Sequence, residues 1–141
     1  MVAALILPRS LREQIEGAAR AALPCECCGL IEGRRDGGTI HVIALHPARN
    51  LSAQADRFEI DPADHFAALR AARANGTEIV GCYHSHPNGK AEISERDREG
   101  AVDDGFVWLV CAIAAGKTQI AGFICENGQF GTLELHEIPS A

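Results

Sequence analysis

Hydrophobic and polar positions alternate in short runs along most of this chain, a pattern typical of β-strands when turn-forming residues bound the runs. The runs predict strands at residues 2–7, 28–31, 39–45, 57–60, 78–84, 106–113, 119–125 and 132–138. Between the second and third runs, Asp36-Gly37-Gly38 predicts a hairpin turn. The first run stands alone before Pro8 and is interpreted as an edge strand.

Apolar residues at helical spacing predict helices at residues 10–23, 61–75 and 94–103. Ser10 with Glu13 forms the pattern of a capping box, and Asp61-Pro62 is typical of a helix start. The helices fall between groups of strands. This order predicts an α+β fold with mixed layers around one sheet, and no linker divides residues 1–141, which are interpreted as a single domain.

Composition supports a soluble globular domain and argues against nucleic acid as a partner. The chain has 141 residues, of which 47% are hydrophobic and 23% charged. The formal net charge of −6 differs from the basic balance that proteins contacting phosphate backbones usually carry. Apolar runs also fall short of the roughly 20 residues that span a bilayer, so no membrane association is expected.

Six cysteines could suggest disulfide bonds, but their positions favour free thiols. Cys82, Cys111 and Cys125 lie within apolar strand runs, where cysteine behaves as a small hydrophobic residue. The apolar start of the chain lacks the basic segment of a secretory signal and reaches Pro8 early. These features predict a reducing, cytoplasmic location.

The segment His84-Ser85-His86-Pro87 holds the most informative chemistry. Residues two apart on a strand point to the same face, so both imidazoles can lie side by side at the strand's end. Asp97 falls in the first turn of the next predicted helix and could face the same point. Two imidazole nitrogens and one carboxylate oxygen suit zinc, and three protein ligands leave a fourth position for water.

Each part of this pattern has a simpler interpretation. Two histidines separated by one residue are more often an ordinary surface pair than a metal site. Ser94 and Asp97 also have the spacing of a capping box. The two interpretations are compatible, because a helix start can orient a carboxylate that also binds a metal. The combination is much more specific than either part.

The complete pattern resembles the JAMM motif of metalloproteases in the MPN (Mov34/Jab1) superfamily. In that motif, H-x-H-P is followed by S-x-x-D, and here Ser94 lies eight residues after His86 and Asp97 three further on. The family also has a glutamate before a Cys-Gly-Leu strand, and residues 26–30 read Glu-Cys-Cys-Gly-Leu. This context nominates Glu26.

The resemblance implies an MPN/JAB-like domain, in which helices flank a central, mostly antiparallel and curved β-sheet. It implies that His84, His86 and Asp97 bind one Zn²⁺ per chain. It also implies that Glu26 is the general base, which accepts a proton from the zinc-bound water. Ser94 would hydrogen-bond the developing oxyanion or the water. The implied activity is hydrolysis of an amide or isopeptide bond. The implied partner is a ubiquitin-like or sulfur-carrier β-grasp protein with a Gly-Gly tail.

The sequence departs from the usual family pattern in two ways. Ile93 stands where a proline often precedes the motif serine, which should alter the loop without removing a ligand. The chain is also too short for the substrate-gripping insertions of some ubiquitin-specific members. Two other functions stay open at this point: a non-catalytic MPN interaction scaffold, and a zinc amidase or esterase that acts on a small molecule.

A second motif, around the first cysteines, points to chemistry that the rest of the chain does not support. Pro24, Cys25 and Cys28 match the P-C-x-x-C signature of zinc deaminases, but those enzymes need an H-x-E that this sequence lacks. A structural zinc at Cys25, Cys27 and Cys28 is disfavoured, because adjacent strand residues point to opposite faces.

Overall fold

The computed structural model describes residues 2–100 and 103–140, and within them seven strands and three helices. The strands are β1 (Ala4–Pro8), β2 (Cys28–Asp36), β3 (Thr39–Ala48), β4 (Glu78–His86), β5 (Phe106–Ala114), β6 (Lys117–Glu126) and β7 (Gln129–Ile138). The helices are α1 (Arg9–Ala22), α2 (Pro62–Ala74) and α3 (Glu95–Gly100).

The strands form one sheet that closes on itself in the order β1-β3-β2-β4-β5-β6-β7. Strand β1 pairs in parallel with β3 and β7, and β4 pairs in parallel with β5. The pairs β2–β3, β2–β4, β5–β6 and β6–β7 are antiparallel. The predicted α+β fold with a mostly antiparallel sheet is therefore confirmed, while the closure of the sheet is a feature that sequence reasoning did not predict.

The prediction that the first strand lies at a sheet edge is wrong. Strand β1 has a hydrogen-bonded neighbour on each side, and Leu5 and Leu7 are almost fully buried. Both neighbours come from distant parts of the chain, and pairings of that kind leave no local pattern in the sequence. β1 therefore closes the sheet.

The two faces of the sheet carry separate hydrophobic clusters. On one face, Leu11, Ile15 and Ala19 of α1 pack against strand residues such as Leu109. On the other face, Ala68 of α2 packs with a group of buried residues that are Leu30, Cys82, Ile93, Trp108 and Val110. The helices thus flank the sheet, and neighbouring residues of β4 serve both clusters, with Cys82 in the α2 cluster and Tyr83 in the α1 cluster.

The cysteines behave as their apolar surroundings predicted. All six are free, and Cys82, Cys111 and Cys125 are buried. Each is surrounded by packed strand residues, where a thiol acts as a small apolar group.

Two of the predicted helix starts have different outcomes. Helix α2 starts as predicted, because Asp61 accepts a hydrogen bond from the Ala63 backbone N–H at 2.9 Å. The prediction of a capping box formed by Ser10 and Glu13 is wrong. Helix α1 begins at Arg9, and its N-cap residue, Pro8, makes no side-chain cap hydrogen bond. The helix therefore begins two residues earlier than a cap at Ser10 requires, which places Ser10 inside the first turn.

Two further boundaries differ from prediction. Residues 57–60 form no strand and make only an isolated bridge, between Asn50 and Ile60. The third helix was predicted to extend to residue 103, but α3 is described only as far as Gly100, residues 101 and 102 lie outside the described residues, and Asp103 is not helical. Within the described ranges, none of the helices combines the length and apolar character needed to cross a bilayer.

A buried carboxylate joins β2 to the elements around it. Glu32 accepts hydrogen bonds from His46 Nε2 at 2.8 Å, Thr77 Oγ1 at 2.6 Å and Asn75 Nδ2 at 3.2 Å. Burial on its own would raise the pKa of Glu32, but these hydrogen bonds outweigh it and hold the pKa below its ordinary value. The ionised carboxylate therefore ties β3 and the α2–β4 connection to the sheet.

We expect Glu32→Gln to lower the free energy of unfolding by about 1–3 kcal/mol, because it leaves buried donors without their charged acceptor. A lowered folded-state pKa also makes stability depend on pH. The contribution of Glu32 is complete above its unfolded-state pKa of about 4.3 and is lost as the pH falls through the folded-state value. Denaturant melts at decreasing pH, starting from pH 7, should therefore show that the free energy of unfolding falls less steeply in Glu32→Gln than in the wild type.

The matched control is Glu13→Gln, which alters an exposed glutamate on α1. It should melt like the wild type at every pH. Equal acid slopes for wild type and Glu32→Gln would contradict the assigned role.

Candidate metal centre

Strand β4 ends by placing His84 and His86 on one face, as the spacing predicted. Both side chains are buried. Their Nε2 atoms lie 3.0 Å apart, and His84 Nε2 is 3.1 Å from Asp97 Oδ2. His86 Nε2 is 3.3 Å from the same carboxylate oxygen. The three predicted ligands therefore meet at one point, although Asp97 is far from the histidines in sequence.

Asp97 is oriented by the start of α3. Its Oδ2 accepts a hydrogen bond from the Ser94 backbone N–H at 2.9 Å, and the Asp97 N–H donates to Ser94 Oγ at 3.1 Å. This is the reciprocal pattern of a capping box. The local interpretation and the metal-site interpretation thus describe the same carboxylate, which the helix start aims at the two imidazoles.

The two imidazoles are held in different ways. His86 Nδ1 lies 2.9 Å from the Lys90 carbonyl oxygen, to which it donates, so the Nε2 lone pair faces Asp97 and His84. The His84 ring stacks on Phe58 with centroids 4.4 Å apart and meets Trp108 edge-on at 5.8 Å. Among the described residues, His84 Nδ1 has no hydrogen-bond partner, so ring packing sets its orientation.

The ligand atoms fit a tetrahedral cation. Ligands bound at about 2.0–2.1 Å in a tetrahedron lie about 3.3 Å from one another. The separations among His84 Nε2, His86 Nε2 and Asp97 Oδ2 run from 3.0 to 3.3 Å. Two nitrogens and one carboxylate oxygen are also a donor set that zinc accepts. Geometry and chemistry agree that these residues can hold one divalent metal.

Glu26 lies beside this point with an unused carboxylate oxygen. It is buried, and its Oε1 has no hydrogen-bond partner among the described residues. One carboxylate oxygen of Glu26 and one ring nitrogen each of His84 and His86 all lie within 4.8 Å of one another. Glu26 is thus close enough to meet a small molecule bound at the metal point.

Burial raises the pKa of Glu26 to about 7, partly offset by His86 and reinforced by the carboxylates of Asp97 and Asp56. By contrast, the contacts with both imidazoles and the hydrogen bond from the Ser94 backbone N–H outweigh burial and hold the pKa of Asp97 below its usual range. Carboxyl groups with such opposed pKa values are suited to different tasks. Asp97 stays ionised, as a ligand must, while Glu26 can exchange a proton near neutral pH.

The backbone beside Glu26 is fixed to the histidine strand. Ser85, between the two histidines, accepts a hydrogen bond from the Cys27 N–H at 2.8 Å, and its own N–H donates to the Cys27 carbonyl at 3.2 Å. The same pair of strands explains why the Cys-Gly-Leu segment contains a glycine. A Cβ on Gly29 would lie 2.3 Å from the ring of Tyr83, so only glycine lets that ring pack there.

An open cleft of about 480 Å³ leads to the site. Glu26, His86 and Ser94 line it, and Asp56 and Arg96 form an ion pair at its wall with Nε and Oδ2 3.4 Å apart. Ser94, predicted to contact the oxyanion, therefore faces the space where a substrate would lie. All five predicted site residues gather in one place.

Sequence reasoning missed two residues and underrated a third. Ser85 stood inside the histidine motif, where a small polar residue on the face opposite the ligands could have suggested a tether. Phe58 was interpreted as part of a strand, and its contact with His84 leaves no sequence signal. The third is Asn50, which belongs to none of the motifs above, yet its side chain donates to the Glu26 carbonyl at 3.0 Å.

Comparison with known proteins gives a consistent assignment. The profile of a family described as prokaryotic homologs of the JAB domain matches residues 8–123. A desampylase from Haloferax volcanii is 40% identical over 98 residues, covering 69% of this chain and 68% of that protein. A probable TtuB-protein conjugate cleaving protease from Thermus thermophilus is 32% identical over 126 residues, covering 89% of this chain and 78% of that protein.

The fold is also similar to a solved structure. The solution structure of a protein from Desulfitobacterium hafniense superposes with a TM-score of 0.87 at 30% identity, covering 96% of this chain and 94% of that one. The sheet and helices described above are therefore those of a known domain.

Proposed function

Because this chain belongs to the prokaryotic homologs of the JAB domain, we propose that it is a zinc-dependent metallopeptidase that hydrolyses an amide or isopeptide bond. The observation that carries the proposal is the meeting of His84, His86 and Asp97 within 3.3 Å of one another, beside a Glu26 carboxylate oxygen that has no hydrogen-bond partner among the described residues. A JAMM-type hydrolase needs both features together.

In this proposal, His84, His86 and Asp97 hold the zinc ion. Zinc bound there supplies Lewis acidity and makes a water molecule easier to ionise at neutral pH. Glu26 accepts a proton from the attacking water as the water oxygen bonds to the carbonyl carbon of the substrate. The same carboxyl then delivers that proton to the leaving nitrogen as the C–N bond breaks, which regenerates the ionised carboxylate.

Ser94 is placed to stabilise the carbonyl oxygen. Its Oγ accepts the Asp97 N–H, so the hydroxyl proton is free to point into the cleft. A donor held in this way suits an oxygen that gains negative charge in the transition state.

We further propose that the substrate is the C-terminal tail of a ubiquitin-like or sulfur-carrier β-grasp protein, joined to an amine through Gly-Gly. The similar proteins named for desampylation and for cleavage of TtuB-protein conjugates support this class. The cleft is open, so an extended tail without side chains can approach Glu26 and His86. We place the reaction in the cytoplasm, where the buried free thiols stay reduced.

The test uses the zinc-loaded chain and a β-grasp carrier whose Gly-Gly tail is joined to a lysine side chain. Mass spectrometry should show free carrier ending in Gly-Gly and an unmodified lysine. A matched conjugate with bulky residues in place of the two glycines should be cleaved far more slowly. Cleavage of small amides without cleavage of the conjugate would refute the substrate class. Stable binding of the conjugate without hydrolysis would refute the enzyme and favour an interaction scaffold.

A further inference from the structure

The loop after β3 contains a side chain that uses its full hydrogen-bonding capacity. Asn50 Nδ2 donates to the carbonyl oxygens of Glu26 at 3.0 Å and Arg57 at 3.1 Å. Its Oδ1 accepts from the N–H groups of Ser52 and Glu59, each at 2.9 Å. An asparagine amide offers two donated protons and two acceptor sites, and all four are satisfied here.

These four contacts specify asparagine. The two backbone carbonyls face the amide nitrogen and the two backbone N–H groups face the amide oxygen, so rotating the amide by half a turn would oppose like groups at every contact. Aspartate could keep the two accepted bonds but would place a carboxylate oxygen against the carbonyls of Glu26 and Arg57. Alanine would remove all four bonds.

One branch of this network reaches the proposed base. The Glu26 carbonyl is held by Asn50, while the next residue, Cys27, is held through both its N–H and its carbonyl by Ser85. The carbonyl and the N–H of the Glu26–Cys27 peptide unit are therefore tied to different elements, the loop after β3 and strand β4. Since Glu26 Oε1 has no hydrogen-bond partner among the described residues, these contacts fix the backbone from which the Glu26 side chain extends.

The other branch reaches a proposed ligand. Arg57 and Glu59 flank Phe58. Asn50 donates to the Arg57 carbonyl and accepts from the Glu59 N–H. Asn50 thus fixes the backbone on both sides of Phe58, whose ring stacks on His84 at 4.4 Å. His84 Nδ1 has no hydrogen-bond partner in the described part of the chain, so Phe58 is a main constraint on the plane of that imidazole.

We propose that Asn50 is a positioning residue that couples the general base to the metal site, holding Glu26 through its carbonyl and His84 through Phe58. It does not touch the reacting atoms and acts only through these neighbours. The proposal rests on the proposed hydrolytic function for its kinetic consequence, but its structural consequences do not depend on any reaction.

The experiment compares Asn50→Asp and Asn50→Ala with Ser52→Ala. The serine lies in the same loop, and within the described part of the chain its Oγ bonds Gln54 alone, so its loss perturbs the loop without touching Glu26 or Phe58. Three quantities are measured below the melting temperature of every variant. They are kcat and KM on the Gly-Gly conjugate, the zinc dissociation constant from chelator competition, and the amide hydrogen-exchange rate of Cys27.

Misplacing a catalytic group by about 1 Å can reduce turnover about 100-fold, so kcat should fall by about 10- to 100-fold in both Asn50 variants while KM changes little. The zinc dissociation constant should rise about 10-fold, as it does when the support of a ligand is lost. The Cys27 amide should exchange about 10-fold faster, because local opening of this segment costs less free energy without the Asn50 contacts. Ser52→Ala should match the wild type in all three measurements.

The outcomes separate this proposal from the proposed function. Wild-type kcat, zinc affinity and Cys27 exchange in Asn50→Ala would overturn the role of Asn50. Equal losses in Ser52→Ala would also overturn it, because they would show a general effect of loop disruption. If the wild-type chain does not cleave the conjugate, the function fails, and zinc affinity with Cys27 exchange then decides the Asn50 proposal alone.

Discussion

Glu26→Gln is expected to reduce kcat by about 100- to 10,000-fold, the contribution that a general acid–base group typically makes. Glutamine keeps the size of the side chain but cannot accept and return a proton. Glu26 is not among the three proposed ligands, so the variant should keep about one zinc per chain and nearly wild-type KM. Single-turnover rates on the Gly-Gly conjugate, together with elemental analysis for zinc, measure both effects.

The control for this variant is Glu92→Gln, which neutralises an exposed glutamate before α3. Its turnover should equal that of the wild type. Full hydrolysis by Glu26→Gln would eliminate the carboxylate as the base. Loss of zinc in Glu26→Gln would instead show that Glu26 is a ligand. This alternative is tested because a Glu26 carboxylate oxygen lies within 4.8 Å of a ring nitrogen of each histidine.

The parts of the site that sequence could predict depend on short-range geometry. The alternation of side chains along a strand places His84 and His86 on one face whatever the rest of the fold does. The capping pattern of Ser94 and Asp97 is equally local, and both appear in the structure as predicted. Only the meeting of the two segments needed the family resemblance, because the loop between them has no regular pattern.

Glu26 could not be identified from local geometry. The motif that nominated it includes Gly29. A glycine is required there because the ring of Tyr83 occupies the space that a side chain would fill. Tyr83 lies on β4, far away in sequence, so the requirement for glycine at this position arises from a cross-strand contact. A family pattern carries that contact implicitly, whereas one sequence does not show it.

The closure of the sheet was unpredictable for a related reason. Strand β1 is short, and its apolar residues fit an edge strand as well as a closing strand. Its neighbours β3 and β7 are set by long-range parallel pairing. Residues 57–60 were misjudged as a strand for a similar reason, because Asn50 replaces strand pairing there with side-chain hydrogen bonds. Irregular segments held in this way leave no periodic signal.

Asp97→Asn is expected to remove most zinc binding while leaving α3 in place. The amide can still accept the hydrogen bond from the Ser94 N–H, but it lacks the negative charge that the wild-type carboxylate keeps through its depressed pKa. Without that charge, two neutral imidazoles must hold a dication in a buried site. We expect the zinc dissociation constant to rise at least 100-fold and hydrolysis to fall below detection.

Thermal stability gives a readout of this loss that does not need a substrate. Zinc at 100 times its dissociation constant should stabilise the wild-type fold by about 2.7 kcal/mol, by mass action alone. Asp97→Asn should gain almost nothing from the same zinc, whereas Asp36→Asn, an exposed change at the end of β2, should gain as much as the wild type. Asp97→Ala completes the series.

Alanine at position 97 also removes the acceptor for the Ser94 N–H, so the metal-free protein should lose a further 0.5–2 kcal/mol, roughly the value of a helix cap. The difference between the two variants thus separates the helix-start role of Asp97 from its role at the metal. Zinc-dependent stabilisation that persists in both variants would show that the ion binds without this carboxylate. Glu26, His84 and His86 would then be the ligand set, and the proposed base would have to be sought elsewhere in the cleft.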